Sequence, residues 1–269
     1  MSSTDSTMSS SLDEYKNKLS TLMNDNPNVA KFIKLIALVF IVLIIVSVVK
    51  WGIAKYKNYK KSKVWILKGT KSAKRGKIIF QNPSREDAIT LGRSDNETAG
   101  LEFTYGFWMY VDDWAYKYGQ WKHVMHKGNS TSWPNRAPGI WLHPKENIMR
   151  VYMNTFKNIG EYSDIENIPL NKWFHVVVAV RQQNLDVYIN GNLVKRKVLE
   201  GLPKQNAGDL YLNSFRGFSG FLSQVRYFDY YVNFSEIDNM LQDGPSSMPC
   251  VDSNEMPPYF SSNWWANSK

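Results

Sequence analysis

One long apolar run stands out from the pattern of polar and apolar positions. Residues 32–51 read FIKLIALVFIVLIIVSVVKW, and only Ser47 interrupts the stretch from 35 to 49. About twenty helical residues span the roughly 30 Å hydrocarbon core of a bilayer. A globular helix would show a polar face, and a signal peptide would start earlier and end in a small-residue cleavage site. The run therefore predicts one transmembrane helix over residues 29–54.

Basic residues follow this run and predict its orientation. The N-terminal side carries Lys31 and Lys34, whereas the C-terminal side carries six lysines in a predicted juxtamembrane linker, residues 55–77, and at its border: Lys50, Lys55, Lys57, Lys60, Lys61 and Lys63. The positive-inside rule places the C-terminal domain on the cytosolic side of the membrane. These lysines are expected either to bind anionic headgroups or to form a solvated flank, and the two interpretations coexist.

Beyond residue 77 the apolar positions follow the period of strands. Strands are predicted at residues 102–111, 139–142, 148–154, 172–181, 185–189, 192–198, 210–213 and 218–227. Asn190-Gly191 between two apolar runs predicts a hairpin, because both turn residues need positive φ. Residues 235–242 predict one helix capped by Ser235. Many short strands separated by turns predict an all-β fold, a two-sheet antiparallel jelly-roll sandwich over residues 78–243.

The two ends differ from the strand-rich region. Residues 1–28 are rich in Ser, Thr, Asp and Asn, and predict a mobile polar tail. Residues 244–269 form a Pro/aromatic tail with Tyr259, Phe260, Trp264 and Trp265. These aromatic side chains are expected to pack on the sandwich, and docking on a neighbouring protein is the alternative.

Charge and cysteine content narrow the class of protein. The net charge of +9 comes from the segment around the apolar run, since no acidic residue lies between Asn26 and Arg85. The remaining chain is slightly acidic, which argues against a nucleic-acid partner. The single cysteine, Cys250, allows no internal disulfide and favours a reducing compartment.

Five segments in order carry a family resemblance. They are FTYGFWMYVDD, HVMHKG, GIWLHP with IMRVYMN, IPLNKWFHVVVAV with LDVYINGNLV, and GDLYLN with GFSGFLSQVRYFDYYVNFSEI. Together, over residues 78–240, they resemble the laminin-G-like branch of the concanavalin A-like lectin/glucanase superfamily. The resemblance implies a jelly roll that binds sugars, proteins or lipids, while some members are glycosidases. The anchored N-terminus, with GLEFTYGFWMYVDD and IPLNKWFHVVVAV, also resembles structural proteins of large DNA viruses.

Catalytic groups are not expected. The glucanases of this superfamily carry a Glu-x-Asp-x-x-Glu strand, and retaining hydrolysis needs two carboxylates about 5 Å apart. The nearest segment here, Glu161-Tyr-Ser-Asp164-Ile-Glu166, has the wrong spacing and is interpreted as a solvated acidic loop. No cofactor is expected, apart from Ca²⁺, which such relatives often hold at the sandwich rim. The candidate calcium ligands are Asp112, Asp113 and Asp209, and turn capping is their alternative role.

Aromatic residues predicted in loops give the candidate binding site. Trp114 and Tyr116 follow the turn at residues 112–113, Trp133 lies in the Pro/Asn/Gly-rich stretch at residues 129–139, and Trp141 follows that stretch. Aromatic rings in loops can stack on sugars or anchor a protein. The alternative is that they close the sandwich ends as core residues.

The sequence therefore predicts a non-enzymatic, single-pass membrane-anchored β-sandwich that binds a partner. The first hypothesis is a virion-associated structural protein, between an inner membrane and a capsid, that contacts capsid or envelope proteins. The alternative is a membrane-tethered lectin whose ligand is a glycan.

Overall fold

The structure is a computed structural model that describes residues 17, 21, 27–60, 62–94 and 100–250. The chain separates into two compact units, residues 1–60 and 61–269. The first contains a long helix and the second a β-sandwich.

Helix α1 covers Pro27–Lys60. Within it, Lys31–Ile53 forms a 23-residue segment that is long and apolar enough to cross a membrane, and none of its most apolar part is buried inside the protein. The predicted helix over residues 29–54 is confirmed as a helix. It continues through Lys60, because the basic residues that follow the apolar run are good helix formers.

Twelve strands in the described residues form two antiparallel sheets, so the predicted sandwich is confirmed. Sheet A contains, in spatial order, β1 (Lys63–Ser72), β12 (Ser219–Phe228), β3 (Glu102–Asp113), β8 (Trp173–Arg181), β9 (Asn184–Ile189) and β10 (Asn192–Val198). Sheet B contains β2 (Lys77–Ile79), β11 (Asp209–Leu212), β4 (Lys122–Gly128), β5 (Arg136–Leu142), β6 (Ile148–Tyr152) and β7 (Tyr162–Glu166).

The main core lies between the sheets. Alternation decides which side chains enter it: on β6, Met149 and Val151 are buried, while Arg150 and Tyr152 point outward. Strand β8 is buried on both faces, with Phe174 on the main core and Val177 in a second cluster. The outer face of sheet A must therefore be covered.

The C-terminal part of the sandwich supplies this cover. Residues 228–240 pack Phe228, Tyr230, Val232, Ile237 and Met240 onto the outer face of sheet A. Helix α2 (Phe234–Asp243) ends this segment. It is the helix predicted at residues 235–242.

The predicted cap of α2 is wrong. The N-cap is Asn233, whose side chain accepts from the Glu236 backbone N–H at 2.9 Å, while the Glu236 carboxylate accepts from the Asn233 backbone N–H at 2.9 Å. This capping box satisfies two free backbone donors. Ser235 already lies inside the first turn.

The Asn-Gly hairpin between β9 and β10 is confirmed. Asn190 has φ of 49° and Gly191 has φ of 80°. Two left-handed residues match the twist of the flanking strands.

Two predicted loops are strands. Most of the basic segment at residues 55–77, predicted as a linker, belongs to regular secondary structure. Residues 55–60 are part of α1. Lys63–Ser72 is edge strand β1, which pairs with β12. The lysines of β1 led to the prediction of a linker, although edge strands often carry lysine. The acidic segment at residues 161–166 contains β7, which pairs with β6. Its buried positions, Ser163 and Ile165, alternate with polar residues.

The start of the C-terminal tail runs beside β1. The Thr70 backbone N–H donates to the Met248 carbonyl at 2.8 Å, and the Cys250 N–H donates to the Thr70 carbonyl at 2.7 Å. The aromatic residues of the tail, Tyr259, Phe260, Trp264 and Trp265, lie outside the described residues, as does most of the predicted tail at 1–28.

Candidate functional site

The outer face of sheet B carries two rows of polar and aromatic side chains. Residues paired directly across antiparallel strands share a face. The register gives a first row of Tyr211, His126, Gly139, Tyr152 and Tyr162. The second row is His123, Trp141, Arg150 and Asp164. We call these nine residues, together with Arg136 and Phe215, the aromatic face.

The aromatic face is partly accessible. Tyr162 and Phe215 are 41% and 46% exposed. The C-terminal segment covers part of the outer face of sheet A, where Phe221 is 41% exposed. Accessible rings on a sheet surface are suited to binding another molecule.

Two arginines stack on tyrosines of this face. The guanidinium carbon of Arg136 lies 3.4 Å from the Tyr152 ring centroid, and that of Arg150 lies 3.7 Å from the Tyr162 centroid. Both are cation–π contacts. Gly139 makes room for the first, because a Cβ there would lie 3.1 Å from Cδ of Arg136.

One carboxylate belongs to the face, and it is neutralised. Arg150 donates to both oxygens of Asp164, with Nε and Nη2 each 2.6 Å from an oxygen. These hydrogen bonds raise the pKa of Arg150 above its ordinary value. Because Asp164 is paired with Arg150, the charge of Arg136 is not balanced by this carboxylate, and the aromatic face is positively charged.

The two histidines of the face are neutral at pH 7. His123 Nε2 lies 2.7 Å from His126 Nδ1, and His126 Nε2 lies 2.8 Å from the carbonyl oxygen of Asn129. Because a carbonyl only accepts, His126 Nε2 carries its proton, and His126 Nδ1 accepts from His123 Nε2. Burial lowers the pKa of His126 to about 4 and holds the pKa of His123 well below its ordinary value.

Phe215 covers these histidines from the loop between β11 and β12. Its ring centroid lies 5.5 Å from that of His123 and 5.6 Å from that of Trp141. The loop is held by the Lys117 ammonium, which donates to the Phe215 carbonyl at 2.7 Å. The Tyr116 hydroxyl donates to the Arg216 carbonyl at 2.9 Å.

The four predicted site residues lie in four different places. Trp141 lies on the aromatic face, and Trp133 lies beside it, 52% exposed, with its ring 5.5 Å from the Arg136 guanidinium. Tyr116 holds the Phe215 loop. Trp114 packs against the main core, as the alternative interpretation expected.

Sequence reasoning missed Arg136, Arg150, His123, His126 and Phe215 as members of a site. The alternation in IMRVY and YSDIE was a usable signal for Arg150, since it puts Arg150 and Asp164 on outward positions of neighbouring strands. Phe215 has no such signal, because it lies in a loop.

The three candidate calcium ligands do not form a common site. Asp113 accepts from the Ala115 backbone N–H at 2.8 Å, and Asp209 accepts from the Gln81 backbone N–H at 2.9 Å. Asp112 follows the buried part of β3 and is exposed. Within the part of the chain that the structure describes, no three His, Cys, Asp or Glu residues are grouped to hold a metal ion. Asp113 and Asp209 thus serve as turn and backbone acceptors.

The six predicted membrane-surface lysines divide between the two units. Lys50, Lys55, Lys57 and Lys60 belong to α1, and Lys61 lies outside the described residues. Lys63 begins β1 in the sandwich, where its ammonium lies 5.9 Å from the Trp65 ring and 5.7 Å from the Phe228 ring.

Two acidic residues around β7, Glu161 and Asp164, are engaged with cations. Glu161 is buried, accepts from the Glu200 backbone N–H at 2.9 Å, and lies 3.7 Å from the Lys197 ammonium. Asp164 is held by Arg150. Glu161 and Asp164 are thus both held by basic side chains, and the segment is a strand and not the solvated loop that the sequence predicted.

Comparison with solved structures finds several that match part of this chain. The binding domain of Paraclostridial Mosquitocidal Protein 1 is 18% identical over 65% of this chain and 47% of its own, with a TM-score of 0.44. The binding domain of botulinum neurotoxin serotype D is 10% identical over 63% of this chain and 46% of its own, with a TM-score of 0.45. That of serotype G is 17% identical over 53% and 36%, with a TM-score of 0.43. The chain thus spans less than half the length of these structures.

The family comparison is more direct. Comparison with curated proteins finds no match. A laminin G-like family model, described as concanavalin A-like lectin/glucanases superfamily, matches residues 83–238, which is more than half of the chain and most of both sheets. The chain therefore belongs to the concanavalin A-like lectin/glucanases superfamily.

Proposed function

We propose that this protein is a non-enzymatic, membrane-anchored binding module that holds a protein partner on the aromatic face of sheet B. The observation that carries the proposal is the pair of arginine–tyrosine stacks on an accessible sheet, Arg136 on Tyr152 and Arg150 on Tyr162. Trp, Tyr and Arg are the residue types that dominate binding energy in protein interfaces.

The same stacks favour a protein over a sugar at the centre of the face. Sugar rings bind by lying flat on aromatic rings, but guanidinium groups already lie over Tyr152 and Tyr162 at 3.4 and 3.7 Å. A partner surface with carboxylates would meet the charge of Arg136, and its apolar groups would cover Phe215.

The setting supports a structural layer next to a membrane. Helix α1 contains a 23-residue segment suited to spanning a bilayer, and lysines follow it. The positive-inside rule then puts the sandwich on the cytosolic side. We propose a virion-associated role in which the sandwich links an inner membrane to capsid proteins. The protein contact and the virion setting are separate steps, and each has its own test.

Site-specific photocrosslinking of the full chain in its native membrane tests the contact. A photoreactive residue replaces Tyr162 on the aromatic face or Phe234 on α2, which is 73% exposed. The expected result is one discrete protein adduct from position 162, absent from position 234 and lost with Arg136→Ala. The matched control is Arg181→Ala, which removes an arginine of sheet A that pairs with Glu102. Adducts of equal yield at both positions contradict the proposal.

Membrane insertion and topology are tested independently. The full chain is expected to resist alkaline extraction from membranes, and protease added to the cytosolic side of sealed vesicles is expected to cleave the sandwich. Release by alkali, or protection of the sandwich inside the vesicle, contradicts the anchored cytosolic arrangement. Co-purification with virions that contain an inner membrane tests the virion role.

A glycan ligand is the second candidate, and Trp133 favours it. This ring lies beside the face, is 52% exposed, and its nearest cationic contact is 5.5 Å away. A glycan array probed with the full chain in detergent, with and without Ca²⁺, is the test. Saturable binding lost with Trp133→Ala makes the protein a lectin, and an array without any binding removes this candidate.

A further inference from the structure

Three aromatic rings form a row across the outer face of sheet A. Phe221 lies directly opposite Tyr110, and Tyr110 lies opposite Trp173. Their ring centroids are 6.2 Å and 5.6 Å apart. On each of the three strands a neighbouring residue belongs to the main core, so alternation points these rings outward. We call the three residues the sheet A cluster.

The cover that α2 provides stops one row before this cluster. Trp108, two positions before Tyr110 on β3, is 8% exposed, and its Nε1 donates to the Met240 carbonyl of α2 at 3.3 Å. In the next row Phe221 is 41% exposed, and Tyr110 and Trp173 are half-buried. Aromatic side chains gain free energy when their apolar surface leaves water. The sheet A cluster is therefore a surface on which a further apolar segment would be stable.

The chain that follows α2 approaches this surface. The Ser246 backbone N–H donates to Oγ of Ser223 on β12 at 3.0 Å, and the Thr70 hydroxyl of β1 donates to the Ser246 carbonyl. Pro249 then forms a parallel bridge with Thr70. Because the bridge is parallel, the chain at this point runs along β1 in the direction of Ser72, which lies directly opposite Phe221. The described chain thus ends beside β1 and points toward the row of the sheet A cluster.

Gly69 leaves room for this passage along β1. A Cβ at this position would lie 2.9 Å from the Cys250 backbone nitrogen and 3.0 Å from the Met248 carbonyl oxygen. Contacts this short are not tolerated when the opposing atoms belong to backbone. Edge strand β1 is therefore shaped to hold the segment at its side.

Residues 251–269, which lie outside the described residues, have the length and composition to reach the cluster. They contain four aromatic residues: Tyr259, Phe260, Trp264 and Trp265. A segment beside β1 is four strand spacings from β8, or about 19 Å. The nine residues from Cys250 to Tyr259 reach about 30 Å when extended. The aromatic residues can therefore contact any of the three rings.

We propose that residues 251–269 dock on the sheet A cluster of their own chain and pack aromatic side chains on Phe221, Tyr110 and Trp173. The tether favours the same chain over a second copy, because it holds the segment near the cluster at an effective concentration on the order of millimolar. The docked segment covers the rings that α2 leaves exposed and protects the edge of β1 from pairing with other strands. The inference does not depend on what the aromatic face of sheet B binds.

Photocrosslinking of the purified full chain in detergent tests the docking. A photoreactive aromatic residue replaces Phe221, so that a ring remains at this position. The matched control carries it in place of Tyr162 on sheet B, which is equally exposed at 41%. The expected result is an adduct between position 221 and residues 251–269, mapped by tandem mass spectrometry, and no adduct with this segment from position 162. No adduct from position 221, or equal yields from both positions, overturns the proposal.

An equal mixture of ¹⁵N-labelled and unlabelled chains identifies which copy supplies the segment. Docking within one chain gives adducts whose two parts carry the same label. Adducts that join a labelled to an unlabelled part would show that a second copy occupies the cluster, and the proposal would be wrong.

Chymotrypsin gives an independent measurement, because it cleaves after aromatic residues. Docking shields the four aromatic residues of 251–269, so Phe221→Ser is expected to speed cleavage within this segment several-fold. Ile78→Ser is the control, since Ile78 lies on sheet B and is 44% exposed. It is expected to leave the cleavage rate unchanged, and thermal melts verify that both variants are folded. Equal rates in the unaltered protein and both variants would contradict the docking.

Discussion

His123 and His126, three residues apart on β4, share a direct hydrogen bond of 2.7 Å between Nε2 of the first and Nδ1 of the second. While both rings are neutral, His123 Nε2 donates this bond and His126 Nδ1 accepts it. If His126 Nδ1 gained a proton, the bond could persist only with its direction reversed, with the proton of His123 on Nδ1. This would place a charged imidazolium beside the completely buried His123 ring.

Stability is expected to fall on acidification because of these rings. Burial lowers the pKa of His126 and His175 to about 4, and that of His123 well below its ordinary value. Between pH 6.5 and 4 the unfolded chain binds protons that the folded chain does not. The contribution of these histidines to the free energy of unfolding is therefore greatest above pH 6.5. It falls as the pH drops toward 4, by up to about 1.4 kcal/mol per pH unit for each histidine.

The measurement is the urea midpoint of the full chain in detergent across this pH range. His143→Gln is the control for replacing a histidine that is partly exposed and lies outside the buried pair. His126→Gln is expected to reduce the pH dependence without abolishing it, because His123 and His175 remain. A midpoint that is constant from pH 7 to pH 4 contradicts the neutral, buried state of these rings.

Strand β1 is expected to be part of the sandwich core. Leu67 is buried, so Leu67→Ala is expected to cost about 2–5 kcal/mol of unfolding free energy. Its neighbour Lys68 is exposed, so Lys68→Ala is expected to change stability by less than about 0.5 kcal/mol. Equilibrium denaturation distinguishes the two. Equal, small effects would mean that this segment behaves as the linker that the sequence predicted.

The capping box of α2 is expected to stabilise the cover of sheet A. Asn233→Ala removes the acceptor of the Glu236 N–H bond and is expected to cost about 1 kcal/mol. Ser235→Ala, at the position that the sequence predicted as the cap, is expected to change the free energy of unfolding by only a few tenths of a kcal/mol. Urea unfolding of both variants measures the difference, and a larger loss from Ser235→Ala would contradict the assigned cap.

Gly139 and Arg136 are expected to be energetically coupled. A methyl group at position 139 would meet Arg136 at 3.1 Å and push it away from Tyr152. In a double-mutant cycle, Gly139→Ala and Arg136→Ala are therefore expected to be non-additive by roughly 0.5 kcal/mol or more, because the methyl clash exists only while Arg136 is present. Additive effects would show that Arg136 adjusts without cost.

Local patterns in the sequence predicted the helix, the hairpin and most of the strands, because these elements form from residues that are close together in the chain. The apolar run at residues 32–51 predicts a helix from composition alone, and Asn190-Gly191 predicts its hairpin because the turn needs two residues with positive φ. Alternation identified most strands, and the order of the motifs in β3, β8 and β12 indicated the sandwich. Each of these features depends on residues that are neighbours in the chain.

Only the tertiary structure decided which of these elements lie side by side and which side chains form a common surface. On the aromatic face, His126 lies opposite Tyr211, which is 85 positions away in the chain. The register of the strands sets this pairing, and bulges in β4 change that register. A short window of sequence does not contain this information. Long-range pairing with β12 likewise turned a lysine-rich segment into β1. The packing of residues 228–240 on sheet A also brings together segments that are far apart in the chain. Side-chain burial depends on which segments meet in space, and that is the physical reason why the sequence alone did not reveal the site.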